Sequence, residues 1–345
     1  MYEAVADLPL VVEDVTFERR ERDTSGGFTR VTTVFELRGA DAVGRGEDVT
    51  YDAADHDRLA ADPPALPTGE YTFDEYSAAL GDADLFPEPP ETERSRHYRR
   101  WAAESAALDL ALRQAGTTLG DALNRTYDPV RFVVSTRLGD PPTADRITEW
   151  LEVDPAVEFK LDPTPDWDAD LIDALAATDA VRVLDFKSHY EDTEVGQPAD
   201  PALYERVRRG FPDAVLEDPL LTDETRPVLA GAEERLSWDL PVTGVESVRA
   251  LPVEPRWLNC KPSRFGTVAS LFDFLAYCER EGIALYGGGQ YELGVGRDQI
   301  QAIASLCYPD GPNDVAPRGY NDPEPRADLP GSPLDPPVGF GVRGA

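Results

Sequence analysis

Lysine is nearly absent from this chain. Of its 33 basic residues only Lys160, Lys187 and Lys261 are lysines, and the rest are arginines. Basic charge as a whole is scarce: 66 Asp and Glu leave a formal net charge of -33. That excludes the basic footprint that nucleic acid or an anionic membrane surface demands, so neither is an expected partner. Cysteine is also rare. Cys260, Cys278 and Cys307 are odd in number and lack CxxC spacing, which argues against a disulfide framework or structural zinc. They read as buried free thiols. Long apolar runs are missing, so no membrane-spanning helix is expected. The opening stretch "MYEAVADLPLVVEDVTFERR" lacks the basic and apolar regions of a signal peptide, and a cytoplasmic protein is the expectation. No GxGxxG follows an early strand and no GxxxxGK[ST] occurs, so nucleotide folds lose support.

What is present describes a globular protein. The 345 residues are 41% hydrophobic and 29% charged, enough for two domains or a barrel with an appendage. The acids are spread along the chain, and Arg stands where Lys is usual. Both features point to a salt-adapted (halophilic) cytosol, where screening removes the self-repulsion.

Along the chain, "LPLVVEDVTFERRERDTSGGFTRVTTVFELRG" reads as two strands around the turn "DTSGG", with "VGRGEDVTYD" as a third. "SRHYRRWAAESAALDLALRQAG" is an amphipathic helix ended by Gly116. Residues 1–125 therefore form an α+β unit. Strand and helix then alternate from "VRFVVSTRL" to "GRDQIQAIASLCYP", which means a parallel sheet. A closed barrel over 126–311 is the first choice and an open doubly wound sheet the second. Residues 312–345, rich in Pro, Gly and Asp, are either a strap over the barrel or a disordered tail.

A parallel barrel carries its active site at the C-terminal strand ends. Those ends present Lys160 in "EFKLDP", Asp185 and Lys187 in "VLDFKSHY", Glu217 in "VLEDP", Asp239 in "SWDLP", Lys261 in "NCKPS", and Glu292 after "YGGGQ". Any one of these is ordinarily a solvated strand-end charge. As a set they are not, because all three lysines fall on one face of a chain otherwise purged of lysine. An ammonium with a movable pKa does chemistry that a guanidinium cannot. Asp185, Glu217 and Asp239 come from consecutive strands and can converge on one hard cation, Mg2+ first and Mn2+ second. Lys160 and Lys261 on either side would exchange a proton at carbon beside a carboxylate.

Here the chain resembles the enolase superfamily, in its muconate-lactonizing/mandelate-racemase branch, over nearly its full length. The resemblance is carried by "VGRGEDV", "ESAALDLALRQAG", "FKLD", "VLDF", "LEDP", "SWDLP" and "NCKPSRFGTV". "YGGGQYELGVGR" is similar to a segment of o-succinylbenzoate synthases and N-acylamino acid racemases, and "PNDVAP" to the stretch beyond that segment. The resemblance implies an N-terminal α+β capping domain on a modified TIM barrel, (β/α)7β. It also implies Mg2+ on Asp185, Glu217 and Asp239, and a metal-stabilised enediolate formed by removing the proton α to a carboxylate.

Two departures stand out. The family's second strand usually carries Lys-x-Lys, and here it reads "EFKLD". Either Lys160 is the base and Glu158 replaces the first lysine, the preferred reading, or Lys160 is the first lysine and Asp162 replaces the base. The third strand is usually Asp-x-Asn, and here it reads "DFK", so Lys187 is a second base or a substrate clamp, with His189 a weaker candidate. Gly288, Gly289 and Glu292 are candidate substrate contacts, although "YGGGQ" also suits a plain turn with glycines at positive φ. Arg264 reads as a loop ion pair. Cys260 should point away from Lys261 into the helix-facing layer. Gly26, Gly27 and Phe28 are expected to form a capping loop over the site.

The expected substrate is a small-molecule carboxylate. A carbon-oxygen lyase of the o-succinylbenzoate synthase kind leads, with ammonia elimination as a variant. A two-lysine racemase or epimerase is the alternative, and a non-catalytic metal- or acid-binding barrel the third reading. A homo-oligomer is left open.

Overall fold

An exposed strand, a largely buried one and a third build the first sheet. In the computed structural model, which describes residues 1–24, 27–190, 195–336 and 339–342, a short helix α1 (Glu3–Ala6) precedes β1 (Pro9–Val12). The long strands β2 (Asp14–Asp23) and β3 (Thr29–Gly39) pair antiparallel, and β4 (Ala42–Asp48) extends the meander. The run expected as one first strand breaks at Glu13. β1 leaves the meander and pairs with β5 (Gly69–Thr72), which follows α2 (Ala53–Ala61). A capping box between Thr72 and Glu75 starts α3 (Phe73–Gly81).

The long helix α4 (Arg94–Gln114) packs on this sheet through an alanine face, including Ala102 and Ala106. The contact needs glycine opposite. A Cβ on Gly44 would lie 2.3 Å from the Ala106 carbonyl oxygen, and one on Gly46 2.1 Å from that of Ala102. This is the physical content of "VGRGEDV": two glycines let the helix settle, and Glu47 is free to face the barrel.

A turn of helix, α5 (Leu119–Leu123), leads into the barrel. Its strands are β6 (Val134–Thr136), β7 (Phe159–Leu161), β8 (Val181–Asp185), β9 (Val215–Glu217), β10 (Leu236–Trp238), β11 (Trp257–Cys260) and β12 (Ala284–Gly287), hydrogen-bonded in that order and all parallel. They are short and largely buried on both faces, as parallel strands are. The helices between them are α6 (Asp145–Val153), α7 (Ala169–Ala176), α8 (Pro201–Gly210), α9 (Thr225–Leu229), α10 (Val245–Arg249), α11 (Val268–Glu281) and α12 (Val295–Cys307). Side-chain caps fix several starts: Asp168, Asp200 and Thr267 accept from the backbone of α7, α8 and α11.

The eighth barrel position is filled by a two-residue segment. Asn313 bridges Phe132 and Asp314 bridges Gly288, both in the parallel sense, so they span the gap between β6 and β12. The α/β reading with a (β/α)7β barrel therefore holds. The closing element itself lies inside the segment that the sequence reading set aside as a strap or tail. Beyond it the described residues are strapped to the molecule. Leu334 exchanges backbone hydrogen bonds with Val130, and Tyr320 stacks on Trp150 with ring centroids 4.8 Å apart.

The two units are latched by one buried carboxylate. Glu47 accepts from the backbone N–H groups of Leu293 (2.7 Å), Gly294 (2.9 Å) and Gly296 (2.8 Å), where α12 begins. Arg30 adds a second tie, donating to the carbonyls of Thr50 and Gln290. No helix among the described residues is long and apolar enough to cross a membrane.

Candidate active site

Register brings the acids together. Asp185 at the end of β8 sits directly beside Glu217 at the end of β9, and Asp239 follows β10. All three are fully buried, and one oxygen of each lies within 4.8 Å of the others. Lysines flank this row on both sides. Lys160 on β7 donates to both oxygens of Glu217, at 2.6 and 2.7 Å, and lies 3.1 Å from Asp185 Oδ2. Lys261, just past β11, is 2.9 Å from Asp239 Oδ2. Lys187 meets Asp185 in a short contact and lies 3.6 Å from Asp162 Oδ1.

Further residues hold the row in place. Tyr286 donates to Glu217 Oε2 at 2.6 Å and Asn259 to Oε1 at 3.2 Å. Asp218 accepts from the backbone N–H groups of Asp239 and Leu240, which fixes the end of β10. Arg264 pairs with Asp239 and donates to Tyr190, whose hydroxyl donates to Asp239 Oδ2. Lys187, Asp218 and Tyr291 adopt positive φ without being glycine, so backbone strain gathers at this mouth.

The electrostatics separate the groups. Burial raises the Glu217 carboxyl to about 8, and the neighbouring Asp185 charge adds to the shift. Burial likewise raises Asp218 to about 7. For Asp185, burial is outweighed by Lys187 and Lys160, and its pKa falls well below the usual range. Asp239 falls for the same reason, beside Arg264 and Lys261. Among the ammoniums, burial would lower Lys160, yet Glu217 and Asp185 push it above its ordinary value. Lys187 is raised by Asp162 and Asp185 against the same burial. Lys261 goes the other way: burial lowers it, Asp239 compensates only in part, and Arg264 deepens the shift.

Above the row lies a cavity of about 360 Å³. The capping unit supplies an aromatic wall of Phe28, Tyr51 and Tyr98, and the barrel loops add Tyr190 and Tyr291. Phe28 meets Tyr291 edge to face at 5.5 Å. The cavity is basic within an acidic protein. Lys160, Lys187, Lys261, Arg94, Arg137, Arg264 and Arg297 line it, against Asp162 and Asp314.

Several sequence-based expectations need correction. Glu158 does not stand in for a lysine at the mouth. It is bonded to Arg131 and Arg182 at the N-terminal end of the strands, the opposite end of the barrel. Asp162 is the residue that reaches the cavity. Gly289 lines the cavity, whereas Gly288 packs beneath it, where a Cβ would lie 2.6 Å from Lys261 Cε. Glu292 also lies off the lining. It accepts from the Gln290 N–H at 2.6 Å and pairs with Arg297 at 3.2 Å, so it orients a cavity residue. None of the three glycines of "YGGGQ" has positive φ; close approach, not turn geometry, demands them. His189 is not among the lining residues. Phe28 lines the cavity, whereas Gly26 falls outside the described residues. Cys260 is buried in the apolar layer, Cys278 is buried too, and Cys307 is half-buried.

Asn259, Asp218, Tyr286, Tyr190, Arg94 and Asp314 were not anticipated. Asn259 was within reach, since alternation puts it on the same strand face as Lys261.

The donor set fits a divalent hard cation. Three carboxylates converge with oxygen alone, and burial together with their mutual repulsion keeps Glu217 protonated so far up the scale. Asp185, Glu217 and Asp239 would hold the ion.

Comparison with known proteins agrees with this fold. Residues 3–122 match the N-terminal domain and residues 126–322 the C-terminal domain of a family described as a domain of unknown function, DUF8230. The o-succinylbenzoate synthase of Bacillus subtilis (strain 168) is 24% identical over 220 residues, 62% of this chain. The match spans 57% of that relative's length, less than two thirds. A dipeptide epimerase from Methylococcus capsulatus, solved with Mg ion, superposes with a TM-score of 0.67 at 20% identity, covering 87% of this chain and 88% of its own. A member of the enolase superfamily from Listeria innocua Clip11262 gives 0.64 at 16% identity, covering 90% and 86%. At such identities the structural likeness is one of fold. The chain belongs to the DUF8230 family, carries both of its domains, and has the fold of the enolase superfamily.

Proposed function

We propose that this chain removes the proton α to a carboxylate, as a carbon-oxygen lyase of the o-succinylbenzoate synthase kind. The observation that carries the reading is a carboxylate row flanked by lysines whose environments drive their proton affinities apart. Lys261, held below the ordinary lysine range, is the base. Lys187, held above it, is the acid. Lys261 Nζ takes the α-proton, the electron pair forms the double bond, the β-carbon–oxygen bond breaks, and Lys187 protonates the departing oxygen. Lys160, bonded to both oxygens of Glu217, balances charge beneath the row and takes no proton. A divalent cation on Asp185, Glu217 and Asp239, Mg2+ or in its place Mn2+, would supply electrophilic pull on the substrate carboxylate.

A racemase or epimerase is the second reading. It is favoured by Lys187 and Lys261 approaching the row from opposite ends of the strand order, as two-base exchange requires. A non-catalytic barrel is the third. The proposed setting is a salt-rich cytoplasm.

Deuterated solvent separates the three. A racemase washes deuterium into recovered substrate, and a lyase gives a new alkene absorbance. For the lyase, Lys261→Ala stops the reaction outright, while Lys187→Ala slows elimination more than exchange. A survey of carboxylates yielding neither signal, with chelator changing nothing, would sink the enzymatic readings.

A further inference from the structure

Lys187 sits where the proposed cation needs a ligand. Its backbone N–H donates to Asp185 Oδ1 at 3.0 Å, and its ammonium makes a short contact with Asp185 Oδ2. Lys160 Nζ lies 3.1 Å from that same Oδ2. A carboxylate oxygen has two lone pairs, so two ammoniums leave Oδ2 none to offer. A divalent cation on this oxygen must displace one of them.

Of the two, Lys187 has a second acceptor at hand. Lys160 is 1% exposed, and its ammonium is already bonded to both oxygens of Glu217, in the same row. Lys187 Nζ instead lies 3.6 Å from Asp162 Oδ1, on the cavity side of the row. That distance makes an ion pair and is too long for a hydrogen bond. Asp162 Oδ1 is buried and accepts no hydrogen bond among the described residues. The other oxygen faces Arg137 at 3.8 Å, which leaves Oδ1 to Lys187. Burial raises the Asp162 carboxyl, and Lys187 is the foremost charge opposing that rise. The Tyr190 ring, 5.2 Å from the ammonium, adds a face that favours a cation here.

We propose that Asp162 is a positioning residue for Lys187: with a divalent cation on the row, the ammonium leaves Asp185 Oδ2 and is held by Asp162 Oδ1. The inference rests on the proposed function in seating the cation on Asp185. It adds a device to that reading. Moving onto Asp162 frees Asp185 for the metal and keeps the proposed acid, Lys187, charged at the cavity wall. Loading of the row and readiness of the acid are thereby one event.

The test measures Mg2+ binding to the full-length protein by titration calorimetry at fixed pH and salt. The proteins are the parent, Asp162→Asn, Asp162→Glu, Lys187→Met and the double variant Asp162→Asn with Lys187→Met. Asp162→Asn keeps the shape of the side chain and removes the charge that would receive the ammonium. Its Mg2+ affinity should fall about tenfold, and Asp162→Glu should recover most of the loss. Without Lys187 there is no ammonium to rehouse, so adding Asp162→Asn to Lys187→Met should change the affinity less than about twofold. An equal loss in both backgrounds overturns the proposal, because Asp162 would then act through its own charge alone. Parent-like affinity in Asp162→Asn overturns it too. A second measurement needs no change at Asp162. The three lysines give three ammonium signals by NMR in protein labelled at lysine Nζ, and Lys187→Met assigns one of them. Saturating Mg2+ should move the Lys187 signal, and a signal that stays in place overturns the transfer. The outcomes separate the two claims. A parent that binds Mg2+ with no Lys187-dependent effect of Asp162 keeps the metal row and removes the positioning role. A parent that binds no Mg2+ removes both.

Discussion

Lys160 and Glu217 form a buried pair that reaches across β8, with Nζ 2.6 Å from one carboxylate oxygen and 2.7 Å from the other. Lys160 is 1% exposed and Glu217 fully buried, so neither has water to fall back on. Lys160→Met therefore takes a cation from Asp185 and two donated hydrogen bonds from Glu217. The expected loss is about 3–5 kcal/mol of unfolding free energy. Mg2+, which binds only the folded row, should recover part of it. Urea unfolding in chelator and then in Mg2+ measures both. Equal stability of variant and parent in chelator would show that the pair is not holding the row.

The raised Glu217 carboxyl makes metal binding proton-dependent. Its folded pKa of about 8 exceeds the ordinary value of 4.5, so between these the folded protein keeps a proton that the unfolded chain has lost. Without metal its contribution to stability is complete below 4.5 and disappears as pH rises through 8. A cation must displace that proton. Mg2+ affinity should rise roughly tenfold per pH unit up to about 8 and level off above it, with one proton released per ion. Titration calorimetry in buffers of different ionisation enthalpy reads the proton count directly. Affinity independent of pH between 6 and 8 would exclude Glu217 as a ligand.

The charge reading has a direct check as well. A net charge of -33 repels itself, and salt shortens the reach of that repulsion from about 10 Å at 0.1 M to about 3 Å at 1 M. The melting temperature should climb steadily with KCl across that range. A flat or falling curve would remove the salt adaptation.

The row of acids was legible because strand alternation and barrel polarity together place every second residue of a strand on the inner face and its last residue at the mouth. Parity alone says nothing about depth. Glu158, Lys160 and Asp162 share a parity, but a strand rises about 3.3 Å per residue. Glu158 therefore sits at the far end, beside Arg131 and Arg182, while Asp162 reaches the cavity. The resemblance touched Asn313–Asp314 through "PNDVAP", but their place as the closing segment was illegible for another reason. Two residues in a short stretch between Pro312 and Pro317 carry no periodicity, and their hydrogen bonds to Gly287 and Val133 make them part of the barrel. Arg94, Tyr51 and Tyr98 come from the capping unit, and no local pattern announces a contact made by packing two units together.

Gly288 supports Lys261 by having no side chain. A Cβ there would stand 2.4 Å from Asn259 Oδ1 and 2.6 Å from Lys261 Cε, displacing a partner of Glu217 and the proposed base together. Its φ is not left-handed, so the cost of Gly288→Ala is steric, about 1–3 kcal/mol. The turnover rate should fall at least about tenfold, because a misplaced base loses the reaction more than binding. Gly289→Ala is the contrast. Its Cβ meets the end of the Glu292 side chain at 2.7 Å, which can swing aside, so its effect should fall on KM. Identical kinetic profiles for the two variants would count against Lys261 as the group being held.

Glu47 ties the capping unit to the loop that enters α12, and the cavity depends on that tie. Its two oxygens accept from Leu293, Gly294 and Gly296, and the loop carries Gln290 and Tyr291 into the cavity wall. Glu47→Gln keeps the shape but turns an acceptor into a donor facing N–H groups, leaving buried donors unpaired at a cost of about 1–3 kcal/mol. Because Tyr51 and Phe28 lie on the capping side of the cavity, loosening the latch should open the aromatic wall. Substrate affinity should then fall more than the rate of chemistry. Hydrogen exchange should quicken at Leu293, Gly294 and Gly296 while the core strand β9 keeps its protection. Faster exchange spread evenly through β9 would mean that Glu47 supports the fold as a whole and has no particular hold on the site.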